Sequence, residues 1–300
     1  MKKITPALMT PQRSTAEQGF TLIEVIMVLI LVGILSTITV RILSAPFQAF
    51  QDQSRRATLT AEADLALTRM VREIRLAVPN SVRVSSDGQY LEFIPTIDGG
   101  RYRFHHPDEE TTSPYRLSCG SGATPIRQTF EVLGGLLTGQ ARPNDYVIVY
   151  NASTTGTEAN AYAGGANPTG QSHNRAQINA ISSSTTTTIT LTQAHRFPRC
   201  SGSPEQRFHI APQSGPVTFY CQGDSLYRIT GYGFQADQPT SATAFGSATP
   251  HLLTQNVAAC DFSYDPGTHV RNAVVSLSLS LQQADEYVRL LYQAQVVNVP

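Results

Sequence analysis

An apolar run follows Glu24 as far as residue 40, and between residues 20 and 40 Glu24 is the only ionisable side chain. At about 1.5 Å per residue a helix over 20–40 spans the roughly 30 Å hydrocarbon core of a bilayer. The pattern then changes to helical spacing. Leu59, Ala63, Leu67, Met70, Ile74 and Val78 recur at three- and four-residue steps, with Arg55, Arg56, Glu62, Arg69, Arg72, Glu73 and Arg75 supplying much of the opposite face. This predicts an amphipathic continuation over 42–78, ending just before Pro79 because a proline biases its predecessor out of the α region. The whole helix would measure roughly 85 Å, with Pro46 the expected site of a kink.

From residue 81 the period becomes two. Val82, Val84 and then Tyr90, Glu92, Phe93 and Ile94 read as short strands around Asp87-Gly88. Asp98-Gly99-Gly100 reads as the next turn. Residues 145–150 and the Thr-rich stretch 182–192 are strand candidates. Residues 151–171 are dominated by Ala, Gly, Asn, Ser and Thr and read as a long surface insertion, short of the apolar area a core needs. Residues 217–221 and 225–229 flank Gln222-Gly223-Asp224 as a hairpin. The clearest strand signal comes last. Val275, Leu277, Leu279 and Leu281 alternate with serines, and after Gln283-Ala284-Asp285 the chain returns through Val288, Leu290, Tyr292, Ala294 and Val296. The expected class is therefore α+β: a long N-terminal helix whose stripe packs on an antiparallel sheet. The expected divisions are 1–19, 20–41, 42–78 and a β-rich domain over 79–300.

Glu24 changes the meaning of the apolar run. A lone carboxylate costs about 2.5–3.5 kcal/mol in a bilayer, which marks it as a functional residue. The leader 1–19 carries Lys2, Lys3 and Arg13 against Glu17, which places this end in the cytoplasm. A secretory signal peptide fits poorly, since the run is too long, contains an acid, and has Pro46 directly after Ala45. A plain signal anchor remains as the alternative.

Gly19-Phe20-Thr21-Leu22-Ile23-Glu24, a short basic leader before it and an apolar run after it together resemble the class III signal of type IV prepilins and pseudopilins. The resemblance implies cleavage after Gly19 by a prepilin peptidase, N-methylation of Phe20, and neutralisation by Glu24 of a neighbouring subunit's amine during assembly. It implies partners too: other major and minor pilin subunits, the inner membrane and the assembly platform. The globular domain would be periplasmic and the mature protein would enter a filament. Ala63-Asp64-Leu65-Ala66-Leu67 with Arg69-Met70, Leu226-Tyr227-Arg228, and Cys260-Asp261-Phe262-Ser263-Tyr264 resemble the larger minor pilins and J-type pseudopilins. The run 66–84 and the Asn298-Val299-Pro300 terminus resemble a minor pilin of the mannose-sensitive haemagglutinin pilus.

Net charge is zero for the precursor, and loss of the leader leaves the chain slightly acidic. No basic excess exists to neutralise a phosphate backbone, so nucleic acid is not an expected partner. Cys119, Cys200, Cys221 and Cys260 all follow the apolar run, and in an oxidising compartment disulfides are expected. Their three connectivities stay open; sequence proximity favours Cys119–Cys200 and Cys221–Cys260. Zinc fits poorly because no pair has C-x-x-C spacing. His105-His106-Pro107-Asp108-Glu109-Glu110 reads as an exposed loop rather than a metal site. No nucleophile elbow, H-E-x-x-H or phosphate-binding glycine loop occurs. A non-catalytic subunit without cofactor is expected, and a membrane-anchored periplasmic enzyme is the rival class.

Overall fold

The computed structural model describes residues 19–103, 116–120, 126–156, 159–163, 173–197, 206–268 and 271–299. It divides into two compact units, Met1–Ser54 and Arg55–Pro300. Helix α1, Leu22–Ile74, runs through both and contains Pro46.

In the first unit the large apolar side chains of 20–43 are exposed along the whole helix. Its few hydroxyls are turned back on the helix: Ser36 Oγ donates to Val32 O at 2.6 Å, Thr37 Oγ1 to Ile34 O and Thr39 Oγ1 to Leu35 O at 2.8 Å. Polar groups satisfied within the helix suit a hydrocarbon environment, where water cannot serve them.

In the second unit Leu59, Ala63, Leu67, Met70 and Ile74 are buried on one face of α1. The helix ends at Ile74 rather than Val78. Ala77 N–H bonds Ile74 O at 3.0 Å and Ala77 bridges to Pro95, so the last predicted turn is drawn onto the strands instead. Strands β1 (Arg83–Val84) and β2 (Tyr90–Phe93) then pair antiparallel.

Here the chain leaves the sheet and builds a closed barrel from six strands: β3 (Asp98–Tyr102), β4 (Arg127–Leu133), β5 (Tyr146–Ile148), β6 (Arg175–Ser183), β7 (Thr187–His195) and β8 (Arg207–Ala211). Their order is β3-β4-β7-β6-β5-β8, and β8 closes on β3 through Asp98 opposite Ile210. Tyr102, Phe130, Val147, Ile178, Ile189 and Phe208 fill the interior, with Phe130 edge-on to Phe208 at 5.6 Å. Closure gives every barrel strand a neighbour on both sides.

The chain returns as β9 (Val217–Gln222), which pairs with β2. β10 (Ser225–Thr230) and β11 (His251–Thr254) complete a five-stranded sheet ordered β1-β2-β9-β10-β11. β12 (Val257–Asp265), β13 (Ala273–Gln283) and β14 (Glu286–Val296) form a second, three-stranded sheet. One core joins α1 to both, bringing Leu67 and Met70 together with Phe93, Phe219, Leu277 and Leu279. Helix plus antiparallel sheets make the chain α+β. The barrel is an insertion between the hydrogen-bonded neighbours β2 and β9.

Three local expectations are corrected. Asp98-Gly99-Gly100 is not a turn but the start of β3. A Cβ on Gly99 would lie 2.8 Å from Phe208 O, and one on Gly100 2.9 Å from the Phe208 ring. Glycine is there for close approach of β8. The stretch 182–192 is not one strand, because β6 ends at Ser183 and β7 begins at Thr187. The region 151–171 is a surface insertion only in part: 152–156 are exposed or half-buried, whereas the residues on either side of them turn inward. Asn151, Asn160, Ala161 and Tyr162 are buried; Ala161 and Tyr162 pack with Val78, Ile94, Ile148 and Ala211, and polar bonds hold the segment in place. Asn151 Nδ2 donates to Pro79 O at 2.8 Å, Ala161 N–H to Asn151 Oδ1 at 2.8 Å, and Tyr162 Oη to Ser81 O at 2.7 Å. Residues 157–158 and 164–172 lie outside the described residues.

Candidate processing and assembly site

Thr21 starts α1. Its carbonyl accepts from Glu24 N–H at 3.1 Å and Val25 N–H at 3.2 Å, while its hydroxyl reaches Glu24 N–H at 3.4 Å. Gly19 and Phe20 precede the helix. Among the described residues nothing lies within 4 Å of where a Gly19 Cβ would be, and Phe20 is 79% exposed. The Gly19–Phe20 peptide bond is thus non-helical and open, as a protease needs.

Glu24 sits in the first helical turn, where the helix dipole favours a negative charge. It is exposed and enters none of the ion pairs among the described residues. Its carboxylate is therefore presented outward from an apolar surface. Lys2, Lys3, Arg13 and Glu17 lie outside the described residues.

The other ionisable groups are built into the fold. Glu92 is fully buried on β2, 2.5 Å from Arg83 Nε, and accepts from Tyr232 Oη at 2.8 Å. Burial pushes its pKa up against the opposing pull of Arg83. The Arg83 guanidinium also lies 3.8 Å over the Tyr162 ring and donates to the carbonyls of Gln235 and Ala236. No substrate atom can reach a carboxylate so enclosed. It ties β1, β2, the 159–163 segment and the chain after β10 into one body.

His195 Nε2 lies 2.6 Å from His173 O, and burial lowers the pKa of both imidazoles. His209 is pushed down to about 4, chiefly by burial and further by Arg207. No group of three His, Cys, Asp or Glu side chains able to hold a metal occurs among the described residues. A groove of about 800 Å³ on the barrel is lined by Leu76, Ile97, Gly100, Leu137 and Phe208. The one carboxylate among the described residues that line it, Asp98, is occupied by the N–H groups of Gly99, Thr138, Gln140 and Ala141.

Cys221 of β9 and Cys260 of β12 are joined, with Cα atoms 6.5 Å apart, which pins the two sheets across the core. Cys119 is disulfide-bonded. Cys200 and the run 105–110 lie outside the described residues.

The sequence reading missed the asparagine contacts around Asn80 and Asn151 and the anchor Tyr162. A lone Tyr among small polar residues was the only available signal.

The prokaryotic N-terminal methylation motif matches residues 14–40, which contain this whole site. The motif indicates a type IV pilin-like or pseudopilin precursor, processed by a prepilin peptidase and assembled with other pilins. An apolar N-terminal helix bearing it fits a membrane-anchored, single-pass protein. No curated protein and no solved structure matches the chain.

Proposed function

We propose that this chain is a non-catalytic minor type IV pilin, cut after Gly19, methylated on Phe20 and built into a pilus of the mannose-sensitive haemagglutinin type. The observation that carries the reading is the methylation motif on an exposed apolar segment, residues 20–40, whose only carboxylate is Glu24. A neighbouring subunit's N-terminal amine is the natural partner, because two opposite charges in low dielectric are tolerable only together. The globular part lies in the periplasm before assembly, and its bulk suits the filament tip, where it primes or supports assembly.

The narrower assignment rests on stretches similar to the minor pilin MshO, 66–84 and the last three residues. Two of these stretches meet: Asn80 Nδ2 donates to Asn298 O at 2.9 Å. The second reading is a J-type pseudopilin of a type II secretion system, which shares the signal and the helix. Deletion separates them. Loss of surface pili with secretion intact supports the pilin, and loss of secretion with pili intact refutes it in favour of the pseudopilin. In either system Glu24→Leu should reduce filament incorporation at least tenfold without lowering the amount of processed chain. Normal incorporation of that variant would refute the assembly role.

A further inference from the structure

Unpaired N–H and C=O groups on a sheet edge template further strands, so proteins usually cover or interrupt them. The outer side of β12 is covered: Phe262 N–H donates to Gly88 O, Gln89 Nε2 to Cys260 O and Val257 N–H to Asp224 O, all at 2.9 Å. β14 is different. It pairs with β13 without a bulge from Gln283 opposite Glu286 to Ala273 opposite Val296. The tight turn makes Gln283 and Glu286 a hydrogen-bonded pair, so every second residue from Glu286 turns its backbone to β13. Gln282 fixes this phase, since its N–H points away from β14 and donates to Asn256 O at 2.8 Å.

The N–H and C=O of Tyr287, Arg289, Leu291, Gln293 and Gln295 therefore face outward, and no backbone partner for them occurs among the described residues. The side chains leave that edge clear. Tyr287 Oη, Arg289 Nε and Gln293 Nε2 bond Ser280, Ser278 and Ser276 on β13, swept back over the sheet. No lysine or proline guards the strand, and Leu291 at its centre is 66% exposed.

We propose that β14 is a docking edge that takes an extended strand from a partner subunit of the same filament, a choice of partner that rests on the pilin reading. Only an extended backbone satisfies alternating donors and acceptors along a whole strand. Arg289 and Leu291 select a segment with an acidic and an apolar side chain two residues apart, facing them across the new pair. A second copy does not fit. Pairing two β14 edges about a two-fold axis normal to the sheet reverses the helix lying on it. The two Arg55 ends would then leave in opposite directions, whereas the subunits of one filament all run the same way.

The test is amide hydrogen exchange on the full processed chain, free in detergent micelles and in sheared filaments. In filaments the amides of 287, 289, 291, 293 and 295 should slow at least a hundredfold, while those of 288, 290, 292 and 294 start slow in both states. Leu291→Lys leaves the β13 ladder intact, and Gln293→Pro removes an N–H that faces outward. Each should cut filament entry at least tenfold with Phe20 processing and the Cys221–Cys260 bond unchanged. Full entry of both variants, with equal exchange in both states, overturns this inference and leaves the pilin reading standing. An uncut Met1 terminus with no filament entry overturns the pilin reading, and with it the choice of partner.

Discussion

Replacing Asn80 by alanine tests how the barrel insertion is tied to the helix and sheets. Asn80 holds a positive φ of 55°, and its Nδ2 donates to Asn151 O at 3.1 Å and Asn298 O at 2.9 Å. It thereby clips the end of the β5 segment and the C-terminal strand to the link between α1 and β1. Each bond is worth about 1 kcal/mol when lost with its acceptor left in place. Alanine in the left-handed region adds roughly 1–2 kcal/mol. The variant should be destabilised by about 3–4 kcal/mol. Asn80→Gly should recover up to about 1 kcal/mol of that, since glycine tolerates the backbone but still lacks the donor and gains freedom when unfolded. The chain has 12 tyrosines and no tryptophan, so tyrosine fluorescence during guanidinium unfolding of the detergent-solubilised chain is the assay. A loss below about 1 kcal/mol for Asn80→Ala would refute the clip.

Other perturbations follow from the same contacts. Gly99→Ala should cost about 1–3 kcal/mol, because its Cβ meets a strand carbonyl that cannot move cheaply; an unchanged urea midpoint would place β3 elsewhere. Replacing Cys221 and Cys260 together by serine frees a 39-residue separation and should cost about 4 kcal/mol on the chain-entropy account, read as a lowered unfolding midpoint. His209 stays neutral when folded, with its pKa pushed down to about 4, against about 6.5 unfolded. The folded state binds fewer protons in that window, so this stability is complete above about pH 6.5 and lost as pH falls towards 4. The effect is at most about 3 kcal/mol. His209→Gln should flatten the profile between those limits, and an identical profile would refute the assignment.

The parts legible in the sequence are those encoded locally. The apolar run, the stripe from Leu59 to Ile74 and the hairpins at Gly223 and Ala284 all declare themselves by periodicity and turn chemistry. The prepilin signal is legible for the same reason, as a contiguous hexapeptide read by an enzyme along the chain. The barrel was not legible. Its strands range from three residues in β5 to nine in β6 and β7 and share no common pattern, and its closure depends on β3 meeting β8, Asp98 opposite Ile210, a pairing that no local pattern carries. Gly99-Gly100 looked like a turn because glycine serves both tight turns and close backbone approach, and only the facing Phe208 decides between them. The buried 159–163 segment escaped because a composition argument counts apolar area. Here one aromatic ring, Tyr162, packs with Val78, Ile94 and Ile148, and hydrogen bonds to Asn151 Oδ1 and from Tyr162 Oη fix the segment.

The most direct test of the central claim is the intact N-terminal mass of the chain from cells with and without prepilin peptidase. The pilin account predicts a mature chain beginning at methylated Phe20, found only when the peptidase is present. An uncut Met1 terminus in both strains would contradict it, leaving a signal anchor and removing the assembly role assigned to Glu24.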